Sequence, residues 1–281
     1  MPEAWLTRAR NEFHTNLLDG TLSRDVKGLV SNADKGSPSS RQIASYILDK
    51  IGPVRSVPKL AGQTTGKKFE EICAKFVHSC FKKLNHLRPG NFTVSIGGGI
   101  AQFDQYAHLN EIDAIAKTNR EIATAIGSDY LIKPDIVISR EAEDDAAIND
   151  AGVIVDEQTA RLTALRKINQ DFPTLHASIS CKWTLRSDRA QNARSEGLNL
   201  VRNRKGRLPH IVVITGEPMP GRIASLALGT GDIDCVYHFA LYELREALVD
   251  QNREETLELL DTMIEGKRLR DVSDLPLDLT I

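Results

Sequence analysis

The chain has 281 residues, of which 41% are hydrophobic and 26% are charged, and its formal net charge is −2. This composition excludes a disordered or low-complexity protein, and the length is sufficient for one large α/β domain. Because no apolar run approaches the ~18 residues of a membrane span and the first residues lack the apolar stretch of a secretory signal, we expect a cytoplasmic protein.

The N-terminal region is predicted to be helical with polar loops. Residues 1–18 form a short helix in which Trp5, Phe13 and Leu17 are the apolar anchors, and a second helix covers about 41–51. The intervening loop, 31–40, is rich in turn formers. It is either a plain surface loop or, through its Asn, Lys and Ser side chains, a loop that contacts phosphates.

The segment Gly62–Lys68 superficially resembles a phosphate-binding P-loop. Three residues separate its glycines where the motif needs four, and Lys68 stands where Ser or Thr should be. We therefore reject nucleotide binding. Apolar residues then recur at intervals of three and four from Phe69 to Leu84, which predicts an amphipathic helix packed on a sheet, with Glu70 beside its apolar stripe.

The remainder of the chain alternates between strand and helix patterns. Acidic residues mark 141–150 as a surface excursion. The three successive glycines Gly97–Gly99 predict a hairpin or loop. The short buried strands and the amphipathic helices together predict a mixed sheet flanked by helices. The predicted strands are 92–96, 130–139, 175–184 and 210–215, and the predicted helices are 111–126, 157–170, 237–249 and 254–264.

The predicted strand at 175–184 carries a lysine among buried residues. Alternation places Ala177, Ile179, Cys181 and Trp183 on one face, and Lys182 on the other face beside serines. A lysine that projects from a mostly buried strand costs desolvation free energy unless an anion or a carboxylate lies near it. Lys182 is therefore expected to have an acidic partner.

Two carboxylates are candidates for that neighbourhood. Asp135 lies on the predicted strand 130–139, and Glu196 lies on a later helix with no cation at helical spacing to pair with it. An acid on one strand and a lysine on another is the arrangement of a metal-dependent phosphodiesterase, in which the acids bind Mg²⁺ and the lysine holds water and phosphate. The pattern is weak by itself.

The helix after Lys182 resembles a recognition helix. It is predicted to begin near Asp188, with Gln191 completing a capping box, and Arg186 and Arg189 flank its positive end. Arginine donates twice to guanine and aspartate accepts from cytosine, so the cluster suits G·C pairs. The alternative is a capped helix with surface ion pairs.

The charge distribution is uneven along the chain. From Arg186 to Arg207 there are seven Arg or Lys residues against two acids, whereas 243–281 contains eleven acids against five bases. Such asymmetry indicates one surface that faces an anionic partner, although a solvated basic helix face would give the same pattern. The cysteines Cys73, Cys80, Cys181 and Cys235 show no CxxC spacing, which argues against a zinc site or a disulfide framework.

Taken together, these motifs resemble a known family. Pro134-Asp135, Ser180-Cys181-Lys182, Arg186-Ser187-Asp188-Arg189 and Glu196, in this order and spacing, resemble the type II restriction endonucleases of the PD-(D/E)xK superfamily whose sites share a CCGG core. The resemblance is closest to the NgoMIV type, which recognises GCCGGC. It is strongest over 175–281, also visible at 30–34, 62–73 and 88–90, and weak at 92–106 and 140–172.

The resemblance implies roles for individual residues. Asp135 is then the metal-binding acid, Lys182 the catalytic lysine and Glu196 the second acid. Ser180 stands where most of the superfamily has Asp or Glu, which is expected because this subfamily carries that carboxylate on the following helix. Further implied roles are an upstream acid at Glu70, with Glu71 as its alternative, a metal-ligating main-chain carbonyl at Cys181, inner CCGG contacts from Arg186, Asp188 and Arg189, an outer-pair contact from Arg222 and a minor-groove contact from Gln63.

The resemblance also implies an architecture and partners. We expect an α/β, restriction-endonuclease-like fold in a single domain, 1–281, with an N-terminal region of about 1–60 and a C-terminal helical pair at about 237–266. The implied activity is Mg²⁺-dependent cleavage of double-stranded DNA within GCCGGC, leaving 5′ overhangs. Implied partners are three further copies in a homotetramer that binds two DNA sites, and a companion DNA cytosine methyltransferase in the cytoplasm of a bacterium.

Three alternatives remain open at this point. The first is a repair or recombination nuclease of the same fold with another specificity, the second is a DNA-binding protein that does not cut, and the third is a globular protein unrelated to DNA. Discrete fragments from a mixed-sequence plasmid favour the restriction activity over the first. Salt-dependent DNA affinity argues against the third.

Overall fold

A computed structural model describes residues 2–53, 62–127, 130–229 and 231–281. Within it six strands form one sheet in the order β1-β2-β3-β4-β5-β6. The first three strands are antiparallel neighbours, and β3 to β6 are parallel, so the sheet is mixed. The strands are β1 (Phe92–Ile96), β2 (Ile136–Arg140), β3 (Thr174–Lys182), β4 (His210–Thr215), β5 (Cys235–His238) and β6 (Leu269–Asp271).

Helices cover the sheet. The N-terminal helix α1 packs on α3, α2 packs on α9, and α10 packs on both α8 and α9. Their bounds are α1 (Trp5–Gly20), α2 (Pro38–Ile51), α3 (Gly62–Lys83), α4 (Leu109–Thr118), α5 (Arg120–Ile126), α6 (Asp145–Ile148), α7 (Ser187–Asn203), α8 (Pro220–Ala227), α9 (Leu241–Asp250), α10 (Glu254–Glu265) and α11 (Leu275–Asp278). No helix in the described ranges is long and apolar enough to cross a membrane.

The central strand β3 has the predicted alternation. Ala177, Ile179, Cys181 and Trp183 are buried in the main hydrophobic core, whereas Leu175 belongs to a second core on the other face. The serines of β3 are buried as well, because a sheet with helices on both faces has no solvated side. On the polar face only Lys182, at the end of the strand, is partly exposed.

The antiparallel pairing of β2 with β3 positions the site. Ile136 lies opposite Ile179, and Val137 opposite Ser178. Because antiparallel strands run in opposite directions, Asp135, the residue before β2, lies beside the end of β3. The strand predicted at 130–139 begins only at Ile136, after Pro134, whose ring has no N–H to contribute to a ladder.

The predicted helix at 157–170 is wrong. This region contains a 3-10 turn, Lys167–Asn169, and is otherwise irregular. Arg166 is buried and donates from Nε to Asp145 Oδ1 over 2.8 Å, and its Nη1 donates to the carbonyl of Thr159. The segment is therefore folded around a guanidinium, while the apolar residues that suggested a helix, such as Leu162, are exposed.

Other boundaries also differ from the prediction. The helix predicted at 237–249 begins at Leu241, because residues up to His238 form β5. A four-residue apolar strand beside a helix has no periodicity that separates the two. The helix predicted at 111–126 is two helices, because Asn119 leaves the helical conformation and its side chain accepts from Glu121 N, which caps α5.

Candidate active site

Asp135 and Lys182 are in contact at the end of the central strands. The carboxylate oxygen Oδ2 of Asp135 accepts from Lys182 Nζ at 3.1 Å and from the main-chain N–H of Cys181 at 2.7 Å. Ser180 Oγ lies 3.4 Å from the same oxygen. The lysine side chain is 16% exposed and the aspartate 22%, so the pair is accessible from one side. The expected acidic partner of Lys182 is thus Asp135.

The charge on Lys182 is maintained by its neighbours. Burial lowers the pKa of its ammonium group, but the charges of Asp135 and Glu196 and the hydrogen bond to Asp135 outweigh burial, so that the pKa is raised above its ordinary value. Lys182 is therefore a cation at neutral pH. It is suited to stabilise an anion that reaches this end of the sheet.

Glu196 approaches the same point from helix α7. Ser180 Oγ lies 3.3 Å from Glu196 Oε2, so one hydroxyl connects both carboxylates. The next residue, Gly197, allows α7 to pack closely against Asp232, because a Cβ there would lie 2.6 Å from the carbonyl oxygen of Asp232. Burial raises the pKa of Glu196, and the charge of Asp135 raises it further, against the opposing effects of Lys182 and Ser180.

Glu70, on α3, belongs to the same electrostatic cluster. Its pKa is raised by burial and by the negative charge of Asp135, while Lys182 opposes the shift. Three acids thus surround one lysine at this end of the sheet. Such crowding of like charges is unfavourable without a cation, and it is common at functional sites.

The donor set suits a hard divalent cation. The carboxylates of Asp135 and Glu196 offer oxygen ligands on the two sides of Ser180. The Cys181 thiol is not such a ligand, because its side chain is buried in the core and burial raises the pKa of the thiol. In the described ranges no group of three or more His, Cys, Asp or Glu side chains could hold a metal ion. Water, the main chain or a substrate could supply further ligands.

The turn after β3 presents two arginines and an aspartate. Helix α7 begins at Ser187, and its N-cap residue Arg186 makes no capping bond with its side chain, so the capping box predicted at Asp188 and Gln191 is wrong. Arg186 and Asp188 are exposed instead. Arg189 is half-buried and donates from Nη1 to Thr184 Oγ1 over 2.9 Å. The groups predicted to contact bases are thus available to a ligand.

A cleft of about 470 Å³ lies beside this turn. Arg222, at the start of α8, is on its wall, ion-paired with Asp34 from the loop before α2. Arg222 Nη1 also lies 3.6 Å from Glu217 Oε1. The cleft residues include Asp34, Trp183, Thr184, Arg186, Arg189 and Arg222.

The structure brings most of the predicted site residues together. Gln63 is in α3, but its side chain lies outside the described residues. Three residues were not predicted, although each holds a predicted arginine: Asp34, Thr184 and Glu217. Asp34 lies in the loop 31–40 and in the segment 30–34 where the resemblance is visible, but neither gave it a role, because an ion pair across distant segments leaves no local pattern.

An acid and a lysine are in contact at the ends of two antiparallel strands, a second acid lies on the next helix, and an arginine-lined cleft lies beside them. These features are those of a nuclease of the restriction-endonuclease class. The family described as NgoMIV restriction enzyme matches residues 13–281, and the chain belongs to this family. It is 55% identical, over 281 residues, to the Type II restriction enzyme NgoMIV of Neisseria gonorrhoeae, which covers 98% of each chain. The predicted resemblance and α/β fold are confirmed.

Two solved structures are distantly similar. Restriction endonuclease Bse634I with cognate DNA, a type IIF enzyme, is 13% identical and covers 90% of this chain and 92% of its own, with a TM-score of 0.37. The PspGI–substrate DNA complex is 15% identical and covers 98% of this chain and 91% of its own, with a TM-score of 0.32. At these scores neither similarity adds to the family assignment.

Proposed function

We propose that this chain is a type II site-specific deoxyribonuclease that cuts double-stranded DNA within GCCGGC and leaves 5′ overhangs. The observation that supports cutting is the contact of Asp135 with Lys182 and, through Ser180, with Glu196. The specificity rests on membership of the family and on the arginines of the adjacent cleft. Magnesium is the proposed metal, because the available side-chain ligands are carboxylate oxygens.

The residues divide the chemistry among them. Bound Mg²⁺ would neutralise negative charge on the phosphate as a Lewis acid. Asp135 and Glu196 hold the cation, with the main-chain carbonyl of Cys181 as a proposed third ligand. Lys182 holds the attacking water or a phosphate oxygen by its ammonium group, and the water attacks phosphorus in line with the leaving oxygen. Burial and the charge of Asp135 raise the pKa of Glu70, and a bound cation would lower it.

DNA recognition is assigned to the cleft. Arg186 and Arg189 donate to guanines of the inner CCGG, and Asp188 accepts from a cytosine amino group. Arg222 reads the outer G·C pair, and Gln63 contacts the minor groove. These assignments follow the predicted roles, and the exposed positions of Arg186 and Asp188 support them.

Assembly as a homotetramer is proposed from an exposed apolar surface as well as from the resemblance. The excursion between β2 and β3 carries apolar side chains that the chain itself does not cover, and such surfaces mark association sites. We propose that other copies of this chain cover them. Sedimentation of the wild type and of Leu162→Asp checks this, with a smaller particle expected for the variant. These exposed side chains are Val153, Ile154, Leu162, Ile168 and Phe172.

The biological setting follows from the activity. An enzyme that cuts GCCGGC requires protection of the host's own sites, so we propose a companion DNA cytosine methyltransferase and a location in the cytoplasm of a bacterium. The whole chain is proposed to act as one domain, since the N-terminal helices pack on α3 and α9. Host DNA that lacked methylated GCCGGC sites would contradict the first part.

One digestion tests the cutting activity and its specificity. A sequenced plasmid is incubated with the protein in Mg²⁺ or in a chelator, and the ends are mapped. We expect discrete fragments that end within GCCGGC, only with Mg²⁺. A smear would indicate a nuclease of other specificity, and binding without cutting would indicate a silent DNA-binding protein. Absence of salt-dependent DNA affinity would contradict any role on DNA.

A further inference from the structure

Glu217 is a carboxylate with no exposed surface, located between strand β3, the catalytic strand that ends in Lys182, and the recognition cleft lined by Arg186, Arg189 and Arg222. Its side chain is 0% exposed. Its Oε2 accepts from the main-chain N–H of Leu185 at 2.8 Å, and its Oε1 accepts from the N–H of Met219 at 3.2 Å. Burying a charged group is costly unless it is fully hydrogen-bonded, so these contacts are required for the acid to be kept there.

The hydrogen bonds of Glu217 to Leu185 and Met219 reach two different segments that carry proposed base-reading arginines. Leu185 immediately precedes Arg186, the first arginine of the turn that begins α7. Met219 is the N-cap residue of α8, the helix that carries Arg222. Arg222 Nη1 itself lies 3.6 Å from the same Oε1. One buried side chain thus contacts both segments from which the proposed base-reading arginines extend.

The main chain of Glu217 is also tied to the catalytic strand. Its N–H donates to Thr215 Oγ1 at 3.2 Å, and that hydroxyl donates to the carbonyl of Lys182 at 2.8 Å. Asn32, from the loop that carries Asp34, donates from Nδ2 to the adjacent carbonyl of Gly216 at 2.7 Å. The position of Glu217 is therefore determined by the strand that ends in Lys182.

We propose that Glu217 is a positioning residue that holds Arg222 and the Arg186 turn at a set distance from each other, so that reading of the outer base pair is coupled to reading of the inner four. The inference rests on the proposed function. Glu217 acts through Arg222 and Leu185 and contacts no base itself. A carboxylate is needed because both of its oxygens accept, on opposite sides, from groups that can only donate.

The test is Glu217→Gln, measured as preference in DNA binding. The amide has one acceptor and one donor, so either the Leu185 contact or the contact with Met219 and Arg222 becomes donor against donor. Equilibrium affinities for duplexes containing GCCGGC and ACCGGT are compared without metal. We expect the preference for GCCGGC to fall about tenfold, which corresponds to about 1.4 kcal/mol. In an Arg222→Ala background the same substitution should cause no further fall.

Asp271→Asn is the matched control. Asp271 is also a carboxylate with no exposed side chain, but it is bonded to Arg10 and does not line the cleft. It should lower the melting temperature and leave the GCCGGC preference unchanged. Glu217→Asp, which keeps the charge but shortens the side chain, serves as a second variant if the glutamine variant does not fold, and it should reduce the same preference.

The outcomes distinguish a failure of the proposed specificity from a failure of the positioning role of Glu217. A wild type with no preference for GCCGGC over ACCGGT would contradict the proposed specificity, and this inference with it. A wild-type preference that persists in both Glu217 variants, or a fall that is undiminished in the Arg222→Ala background, would contradict the positioning role alone.

Discussion

Replacing Asp135 by asparagine removes one charge from the site and almost no volume. Asp135 Oδ2 accepts from Cys181 N at 2.7 Å and from Lys182 Nζ at 3.1 Å, and asparagine keeps one oxygen for these donors. The repulsion that raises the pKa of Glu196 and of Glu70 is relieved at the same time. These effects oppose each other, so we expect the free energy of unfolding to change by no more than about 1 kcal/mol.

The effect of Asp135→Asn on cleavage should be much larger. An amide is a poor ligand for Mg²⁺, and loss of charge stabilisation at a reacting phosphate costs about 4 kcal/mol, by analogy with the removal of one oxyanion donor. At about 1.4 kcal/mol for each factor of ten, the cleavage rate falls roughly a thousandfold. DNA binding should persist, because the proposed base contacts come from Arg186, Asp188 and Arg189.

The assay is single-turnover cleavage of a GCCGGC duplex in Mg²⁺, with gel-shift affinity measured in a chelator and thermal denaturation as the check on folding. Asp150→Asn, an exposed acid on the excursion, is the control for loss of one negative charge and should cut normally. If Asp135→Asn cuts within a few-fold of the wild-type rate while Asp150→Asn behaves the same, the active-site assignment is wrong.

Three further changes have defined outcomes. Because the pKa of Glu196 is raised in the folded protein, its ionisation lowers the stability of the fold at pH values above its ordinary pKa of 4.5. Metal-free Glu196→Gln should therefore melt at a higher temperature than the wild type at pH 7 but not at pH 4. The variant should also gain less stability from added Mg²⁺. Arg10→Met leaves the buried carboxylate of Asp271 unpaired, which should cost about 3–5 kcal/mol at neutral pH in a urea titration. Burial raises the pKa of Asp271, but Arg10 lowers it below its ordinary 3.8. The difference in unfolding free energy between Arg10→Met and the wild type should therefore shrink as the pH falls toward 3.8. A difference that stays constant with pH would contradict the pairing of Arg10 with Asp271. Asp188→Asn should weaken the preference for GCCGGC over duplexes changed at one inner cytosine by about 1–3 kcal/mol. Methylation of that cytosine should slow cleavage by the wild type. Equal cleavage rates on methylated and unmethylated DNA would count against the contact between Asp188 and the cytosine.

Local patterns predicted the elements that have a clear period or order along the chain. The alternation in β3, the long amphipathic helix α3, and the order of Asp135, Lys182 and Glu196 were all readable, because strand and helix periodicity depends on neighbours a few residues apart. Short elements such as β5 and β6 were missed for the same reason, since three or four residues do not complete a recognisable repeat.

Contacts between distant segments decided the rest. Arg166 is buried and bonded to Asp145, so a stretch with helical composition is irregular. Arg222 is paired with Asp34 and lies near Glu217, both from other segments of the chain. The free energy of such contacts depends on which charges are removed from water together, and that is settled only when the sheet has brought the segments into one place. The residues of the site could therefore be predicted from the sequence, whereas the partners that hold its arginines are determined by the tertiary packing.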